Sequence, residues 1–332
     1  MSSTEPAVSA NTSAGTMPTL SPTMSFDEAS RAVVAFLHER LPMGFWAVTR
    51  MENGNQTYLH IDDRAYGLET GGSHLFADSF CINMLADKGP RVAPDVAQVP
   101  VYRDSNVAQA VRIGAYAGVP ITEADGSLFG TLCGLNMDPM DPAIIEEQSL
   151  LELLCQLLSM VLVADRGRDQ AVRAAIAAKA AAETDPLTGL YTRHAWNEVI
   201  AAEEDRQRKY ADPTVIAIVD LDLLKRINDE QGHAAGDAYI QAAGQALRDA
   251  APTESPVARL GGDEFALLLR DTTAQNAHDV VEGLYRALAD AGVAGSIGWA
   301  PDTVIEGFPG AMEAADERMY AAKRERRRAA VA

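Results

Sequence analysis

Apolar positions along the chain fall into successive textures. Across 26–41 they recur at helical spacing (Ala29, Val33, Phe36, Leu37) and Pro42 closes the run, which predicts an amphipathic helix. Short apolar runs at 44–51, 57–61, 115–121 and 127–136 read as strands, and Asp125-Gly126 marks the turn between the last two. From Asp141-Pro142, a suitable N-cap and first helical residue, to Glu183 there is no further Pro and one Gly, Gly167. Within that span Leu150, Leu154, Leu157, Val161, Ala164, Arg168, Ala171, Ala175, Ala178 and Ala182 alternate steps of four and three, a heptad seam rich in leucine first and alanine later. About 40 helical residues would reach roughly 60 Å, a length that calls for a partner. A parallel dimer would bring two copies of the following domain side by side; the competing reading is a helix packed on its own domain.

The pattern then changes to buried strands. Residues 214–219 are β-branched and apolar and lead into Asp220-Leu221-Asp222. Two further β-compatible runs, 257–260 and 265–269, flank Gly261-Gly262-Asp263-Glu264, a hairpin tip whose glycines permit positive φ. Adjacent carboxylates repel, so such a tip is either a solvated acidic turn or a place where a cation or a proton transfer uses them. If the hairpin neighbours the 214–219 strand, Asp220 and Asp263 converge on one hard cation, with room left for substrate phosphates, as Mg²⁺ prefers.

Six motifs now stand in order: Asp185-Pro186-Leu187-Thr188-Gly189-Leu190, Asp220 through Asp229, Gly232-His233 with Gly236-Asp237, the 261–265 hairpin, Ser296-Ile297-Gly298, and Ala315-Asp316 through Tyr320 to Lys323. The segment from about Glu183 to Arg328 resembles the GGDEF domain of bacterial diguanylate cyclases. That resemblance implies an enzyme condensing two GTP into cyclic di-GMP and two pyrophosphates at the interface of two such domains. The alternative is a silent GGDEF module that binds a nucleotide and transmits a signal. The family's Mg²⁺ ligands, with Mn²⁺ able to replace Mg²⁺, match Asp220, the main-chain carbonyl of Leu221, Asp263 and Glu264. Asp263 also matches the acceptor of the 3′-hydroxyl proton, and Lys225 a charge that offsets the transition-state phosphates. Asn228, His233 and Asp237 match substrate positions, with main-chain amides at Leu223 and Leu224. Asp237 suits guanine, whose N1–H and 2-amino group are adjacent donors. Lys323 and Arg327, four apart on a basic C-terminal helix at 311–328, match a phosphate-contacting pair, whereas Arg326 and Arg328 read equally well as a solvated terminus. Pro252 and Ser255 stand where the family carries the Arg and Asp of its inhibitory product site, so that site is expected to be absent. Leu224 replaces a usual Phe, and Glu325 to Arg328 depart from the family's order.

The first half, about Met24 to Val163, resembles a GAF sensory domain through Gly118-Val119-Pro120-Ile121 and Gly130-Thr131-Leu132-Cys133-Gly134. Its ligand is unknown, and the candidate pocket residues are Trp46, His74, Phe80, Cys81, Tyr102 and Tyr116. Neither Cys81 nor Cys133 precedes a His as a bilin-attachment cysteine does. The Asn-Lys and Phe-Asp-Glu pattern of cyclic-GMP binders is missing, and His60 or His74 are the candidates for a haem ligand.

Composition narrows the rest. The chain has 332 residues, 47% of them hydrophobic, enough for a core in each of two domains. A net charge of −19 argues against nucleic acid or an anionic membrane as partner. No uninterrupted apolar run approaches the roughly 18 residues that span a bilayer. Three scattered cysteines, Cys81, Cys133 and Cys155, argue against a disulfide framework, and a reducing cytoplasm is expected. The expected architecture is a multidomain α+β and α/β chain: a disordered tail (1–23), a GAF-like antiparallel-sheet domain (24–141), a helical coiled-coil linker (142–183), a GGDEF domain with a mostly antiparallel, palm-like central sheet flanked by helices (184–328), and a short tail (329–332). A homodimer through 142–183 is expected.

Overall fold

The computed structural model describes residue 21 and residues 23–180, 184–303 and 307–329. The expected N-terminal tail lies almost wholly outside the described residues, as do Ala182 at the end of the seam and 330–332.

The first domain begins with α1 (Phe26–Arg40), whose Ser25 and Glu28 form a reciprocal capping box that closes its first turn. Strands β1 (Phe45–Glu52), β2 (Asn55–Asp63), β3 (Ser73–Leu75), β4 (Val92–Ala93), β5 (Ala115–Thr122) and β6 (Leu128–Asn136) make one antiparallel sheet in the order β3-β2-β1-β6-β5-β4. Short helices α2 (Phe80–Leu85), α3 (Pro100–Arg103) and α4 (Asn106–Ala110) lie between the β3 and β5 strands. The two-residue period of the strands sorts their side chains. Trp46, Val48, Ala117 and Leu132 face the cluster built with α1, and Phe45, Ala47, Tyr116 and Cys133 face the one built with α2 and α3.

A 3₁₀ turn at Pro142–Glu147, capped by Asp141, leads into α5 (Gln148–Ala180). Leu151, Cys155, Leu158 and Leu162 join the core shared by α1 and the sheet. Leu154 and Val161 are half-buried against the same core, so they leave the expected seam. The exposed side instead carries Leu153, Leu157 and Met160, at 52%, 48% and 68% exposure, flanked by half-buried Leu150. Continued through Ala164, Gly167, Ala171, Ala174 and Ala178, all exposed, that stripe keeps the four-and-three rhythm one position off the expected register at every second step. Among the described residues, Pro142–Lys179 is long and apolar enough by length and composition to cross a bilayer, which the lack of an uninterrupted apolar run did not foresee. Its buried side is spent on the GAF sheet.

The second domain has strands β7 (Tyr191–Thr192), β8 (Thr214–Leu221), β9 (Val257–Gly261), β10 (Glu264–Arg270) and β11 (Gly295–Pro301) in the order β11-β8-β10-β9-β7. All pairings are antiparallel except β7 with β9. Helices α6 (Arg193–Tyr210) and α10 (Gly307–Ala329) cover one face, and α7 (Leu224–Gln231), α8 (His233–Ala250) and α9 (Ala277–Asp290) accompany the other. Strand β8 is buried at every position, with Val215, Ala217 and Val219 facing α8 and α9 and Ile216 and Ile218 facing α6 and α10.

The two domains meet at a buried carboxylate. Asp212, in the turn between α6 and β8, takes both terminal nitrogens of Arg166 on α5 at 2.9 and 3.2 Å and the guanidinium of Arg206 on α6 at 2.5 Å. Arg50 on β1 stands 3.7 Å away. Tyr210 stacks on Phe26 at a centroid separation of 6.4 Å, and Arg166 lies 4.6 Å over its ring. Burial alone would raise the Asp212 pKa, but the guanidinium of Arg166, with those of Arg206 and Arg50, outweighs it and holds the carboxyl below its ordinary value.

Replacing Asp212 by Ala removes the buried carboxylate paired with Arg206 and leaves Arg166 to Glu123 and Arg50 to Glu52, and the loss of stability expected is about 3 kcal/mol, read from urea denaturation. Because the folded pKa is depressed, the stabilisation is complete above the unfolded value of about 3.9 and fades as pH falls through the folded one. Asp212→Ala therefore differs most from wild type near neutral pH and least in strong acid.

Candidate active site

The chemistry-bearing residues gather where β8 ends. Asp220 pairs across β10 with Glu264 and across β11 with Ser296. The Leu221 amide donates to the Asp263 carbonyl at 3.1 Å, which fixes the hairpin tip beside the strand end. The two elements are thus sheet neighbours, the condition under which Asp220 and Asp263 share one locale. Gly261 and Gly262 bend the tip at φ of 149° and 53°, a conformation that disfavours residues carrying a Cβ.

Asp220 is 8% exposed. Its pKa is raised, first by burial and then by the neighbouring charges of Asp263 and Asp222, while an ion pair with Lys323 on α10 pulls in the opposite direction. Asp222 accepts from Ser296 Oγ at 3.0 and 3.1 Å and lies 3.5 Å from Arg326, whose guanidinium also stacks 4.9 Å from the Tyr285 ring. Arg326 is therefore engaged with the site rather than simply solvated. The Arg327 side chain lies outside the described residues.

Crowded carboxylates answered by one ammonium suit a hard divalent cation. Among the described residues no group of three His, Cys, Asp or Glu side chains converges as a complete ligand set. A cation held by Asp220, Asp263 and the Leu221 carbonyl would take its remaining oxygens from substrate phosphates and water, which fits Mg²⁺. Glu264 is exposed and turned to Arg193, 3.5 Å away.

The expected substrate residues line the helices that follow. Leu223 is the N-cap of α7 and Leu224 its first residue, packed half-buried on the core. Lys225 is exposed on that first turn. Gly232, at φ 85°, turns the chain into α8, where His233 and Asp237 are exposed one turn apart and so share a face. A Cβ at Gly236 would stand 1.9 Å from Asn228 Oδ1, so that glycine gives the amide its place against α8. Pro252 and Ser255 form the turn before β9, the Ser255 amide donating to the Pro252 carbonyl at 3.1 Å.

Three supporting residues had no role assigned from the sequence. Arg259 donates to the Gly262 carbonyl at 2.8 and 3.1 Å and to Asp185 at 3.2 and 3.3 Å. Asp185 in turn accepts from the Thr188 amide and hydroxyl at 2.9 and 2.8 Å. Arg193 donates to the Leu260 carbonyl at 2.8 Å. The Asp-x-x-Thr spacing of 185–188 was the available signal for the second; a lone Arg at the start of α6 gave none.

Residues 182–329 match the family model described as the GGDEF domain of diguanylate cyclases, and residues 25–162 match that of the GAF domain. The chain belongs to the GGDEF family, with a GAF domain ahead of the GGDEF domain. Diguanylate cyclase DgcP of Escherichia coli (strain K12) is 32% identical over 165 residues, 50% of this chain and 48% of the relative. An uncharacterised 19.3 kDa protein of Streptomyces ambofaciens is 36% identical over 155 residues, 45% of this chain and 82% of the relative. The chain spans about half the length of the E. coli relative and 16% of that of Pseudomonas aeruginosa DgcP. Among solved structures, the GGDEF domain of DgcB from Caulobacter crescentus in complex with c-di-GMP is 27% identical with a TM-score of 0.41, over 43% of this chain and 91% of that one.

The GAF domain has its own cavity of about 670 Å³ against the α2 side of the sheet. His74, Phe80, Cys81 and Tyr116 line it, joined by Gln56, Tyr58 and Tyr66, which the sequence reading passed over. Gln56 carried a usable signal, a polar residue at an inward position of a strand. Trp46 does not reach this cavity: it is wholly buried on the opposite face, its indole N–H donating to the Leu41 carbonyl at 3.0 Å. Tyr102 backs the wall and donates to the Pro90 carbonyl at 2.6 Å. His60 also lies off the cavity, 3.1 Å from Asp27, and burial pushes its pKa down to about 4.

Arg259→Ala is expected to leave the sheet intact while amide hydrogen exchange at 260–263 accelerates by about tenfold or more, the effect of losing roughly 1.4 kcal/mol of local closure. Unchanged exchange there would show that the turn holds without its arginine.

Proposed function

We propose that the chain is a diguanylate cyclase that joins two GTP molecules into cyclic di-GMP and two pyrophosphates, regulated by its GAF domain. The observation that carries this reading is the register of β8 with β10, which puts Asp220, Asp263 and Glu264 at one strand end, where the Lys323 ammonium pairs with Asp220. When bound, Mg²⁺ would neutralise triphosphate charge and polarise the α-phosphate. Asp220, Asp263 and the Leu221 carbonyl would hold it.

In each half-reaction a 3′-hydroxyl oxygen bonds to the α-phosphorus of the opposite GTP, the α–β phosphoanhydride breaks, and pyrophosphate leaves. Asp263 takes the hydroxyl proton. Lys225 and Lys323 offset the charge on the leaving phosphates; Lys323, paired with Asp220 in this structure, would give up that carboxylate to a bound cation. Asn228 and His233 contribute to substrate binding, and Asp237 accepts from guanine N1–H and its amino group. The altered turn at Pro252 and Ser255 supports a cyclase without the family's local product inhibition.

Each domain supplies half a site, so the α5 stripe of exposed Leu153, Leu157 and Met160 with half-buried Leu150 is assigned to a second copy of the chain. Leu157→Lys with Met160→Lys is expected to move the protein from dimer to monomer in sedimentation velocity and to lower GTP turnover by at least tenfold, a barrier increase of about 1.4 kcal/mol.

Purified protein with GTP and Mg²⁺ should yield cyclic di-GMP by chromatography, Asp263→Ala should yield none, and ATP should not substitute. If neither the full chain nor 184–332 fused to a constitutive dimeric coiled coil made product, the chain would be a nucleotide-binding signalling module.

A further inference from the structure

The GAF cavity contains a dithiol. Cys81 on α2 and Cys133 on β6 are both buried and unbridged, belong to the same packed cluster and both line the cavity. Hydrogen-bonding groups from separate strands converge on the Cys81 sulfur. The Tyr116 hydroxyl donates to it at 3.5 Å, the Gln56 amide nitrogen lies at 3.6 Å and Thr131 Oγ1 at 3.5 Å. Thr49 Oγ1 can donate to the Thr131 carbonyl at 3.1 Å, which leaves the Thr131 hydroxyl proton for the sulfur. Gly118 shapes the arrangement, since a Cβ there would stand 1.9 Å from the Tyr116 hydroxyl.

Donors around sulfur favour the thiolate, the reactive form. The Cys133 thiol, with the Tyr116, Thr131 and Gln56 donors, pulls the Cys81 pKa down against burial, whereas Cys133 itself is pushed well up by its neighbour and by burial. Among the described residues, the phenols of Tyr116, Tyr102 and Tyr58 surround Cys81, all raised by burial and therefore neutral, and His74, lowered by burial, and Asp78 line the same cavity. Cys155 is the contrast: it lies in the other core beneath the Val119 carbonyl and is pushed up by burial. Finally, Gln56, a cavity-lining residue, is 1% exposed, and its buried Oε1 has no hydrogen-bond partner among the described residues. An acceptor left in that position suits a ligand bearing an O–H.

We propose that Cys81 and Cys133 form a hydroperoxide-reactive site in the GAF cavity, with Cys81 as the attacking thiolate, Cys133 as the resolving thiol and Gln56 Oε1 as acceptor for the peroxide O–H. The Cys81 sulfur bonds to the terminal peroxide oxygen, the O–O bond breaks, and the departing alkoxide takes a proton and leaves as alcohol or, from hydrogen peroxide, as water. Cys81 is then a sulfenic acid. Cys133 attacks that sulfur, the S–O bond breaks, and hydroxide leaves with the Cys133 proton as water. The two sulfurs lose two electrons to the peroxide, and an external dithiol reverses the bond.

The reduced full-length chain is exposed to hydrogen peroxide, quenched, and examined by intact and peptide mass spectrometry. The expected result is loss of two hydrogens with a linked peptide pair containing Cys81 and Cys133, while Cys155 stays a thiol. Cys133→Ser should stop at a dimedone-trappable sulfenic acid on Cys81. Tyr116→Phe, which keeps the ring, should move the pH–rate profile for oxidation up by about one unit through loss of a donor to the thiolate. Oxidation of Cys155 as fast as Cys81, or no linked peptide together with no dimedone adduct in Cys133→Ser, would overturn the proposal. None of these readouts depends on cyclase activity.

Discussion

Strand β8 is the constraint on which the GGDEF domain depends. It is buried along its whole length between β10 and β11, with helices on both faces, so its pairing register has little freedom. A slip of one residue would turn Val215, Ala217 and Val219 toward the wrong helices. Because that register is held by apolar packing, the polar residues at the end of the strand have no choice of position. Asp220 meets Glu264 on one side and Ser296 on the other, and repulsion among Asp220, Asp222 and Asp263 is imposed by the core. Lys323 and Arg326, arriving from α10, are the chain's own answer to that charge.

The hairpin tip is held from outside the strands that form it. Arg259 ties the Gly262 carbonyl to Asp185, and Arg193 ties the Leu260 carbonyl to the start of α6. Asp185 lies directly after the segment that follows α5, so the tip is braced by residues at the entrance of the domain. At the other end of α6, the Asp212 carboxylate gathers arginines from β1, α5 and α6. The GAF sheet, the long helix and the GGDEF domain therefore share one buried charge cluster. Helix α5 has distinct sides in consequence: one buried on the GAF sheet, one bonded to α6 through Asp169 and Lys209 and through Arg173 and Glu203, and one exposed.

Period and turn chemistry made most of the elements readable. The expected helix at 26–41 and strands at 44–51, 57–61, 115–121 and 127–136 lie within a residue or two of α1, β1, β2, β5 and β6. The seam was less legible. Leu154 and Val161 fit a heptad as well as their neighbours do, and only the sheet packed beneath α5 separates them from Leu153 and Met160. Trp46 shows the same limit, because alternation puts it opposite its strand neighbours Phe45 and Ala47 without saying which face carries the cavity.

What the sequence determined alone was the order of motifs, hence the family, and the local bends at Gly232, Gly261 and Gly262, since these depend on neighbouring residues and on backbone sterics. The tertiary structure decided the partners: Arg259 with Asp185, Asp212 with arginines of three elements, Cys81 with donors from three strands. Those contacts join residues far apart in the chain, and hydrogen bonds and ion pairs of that kind exist only once the cores have fixed which surfaces face each other.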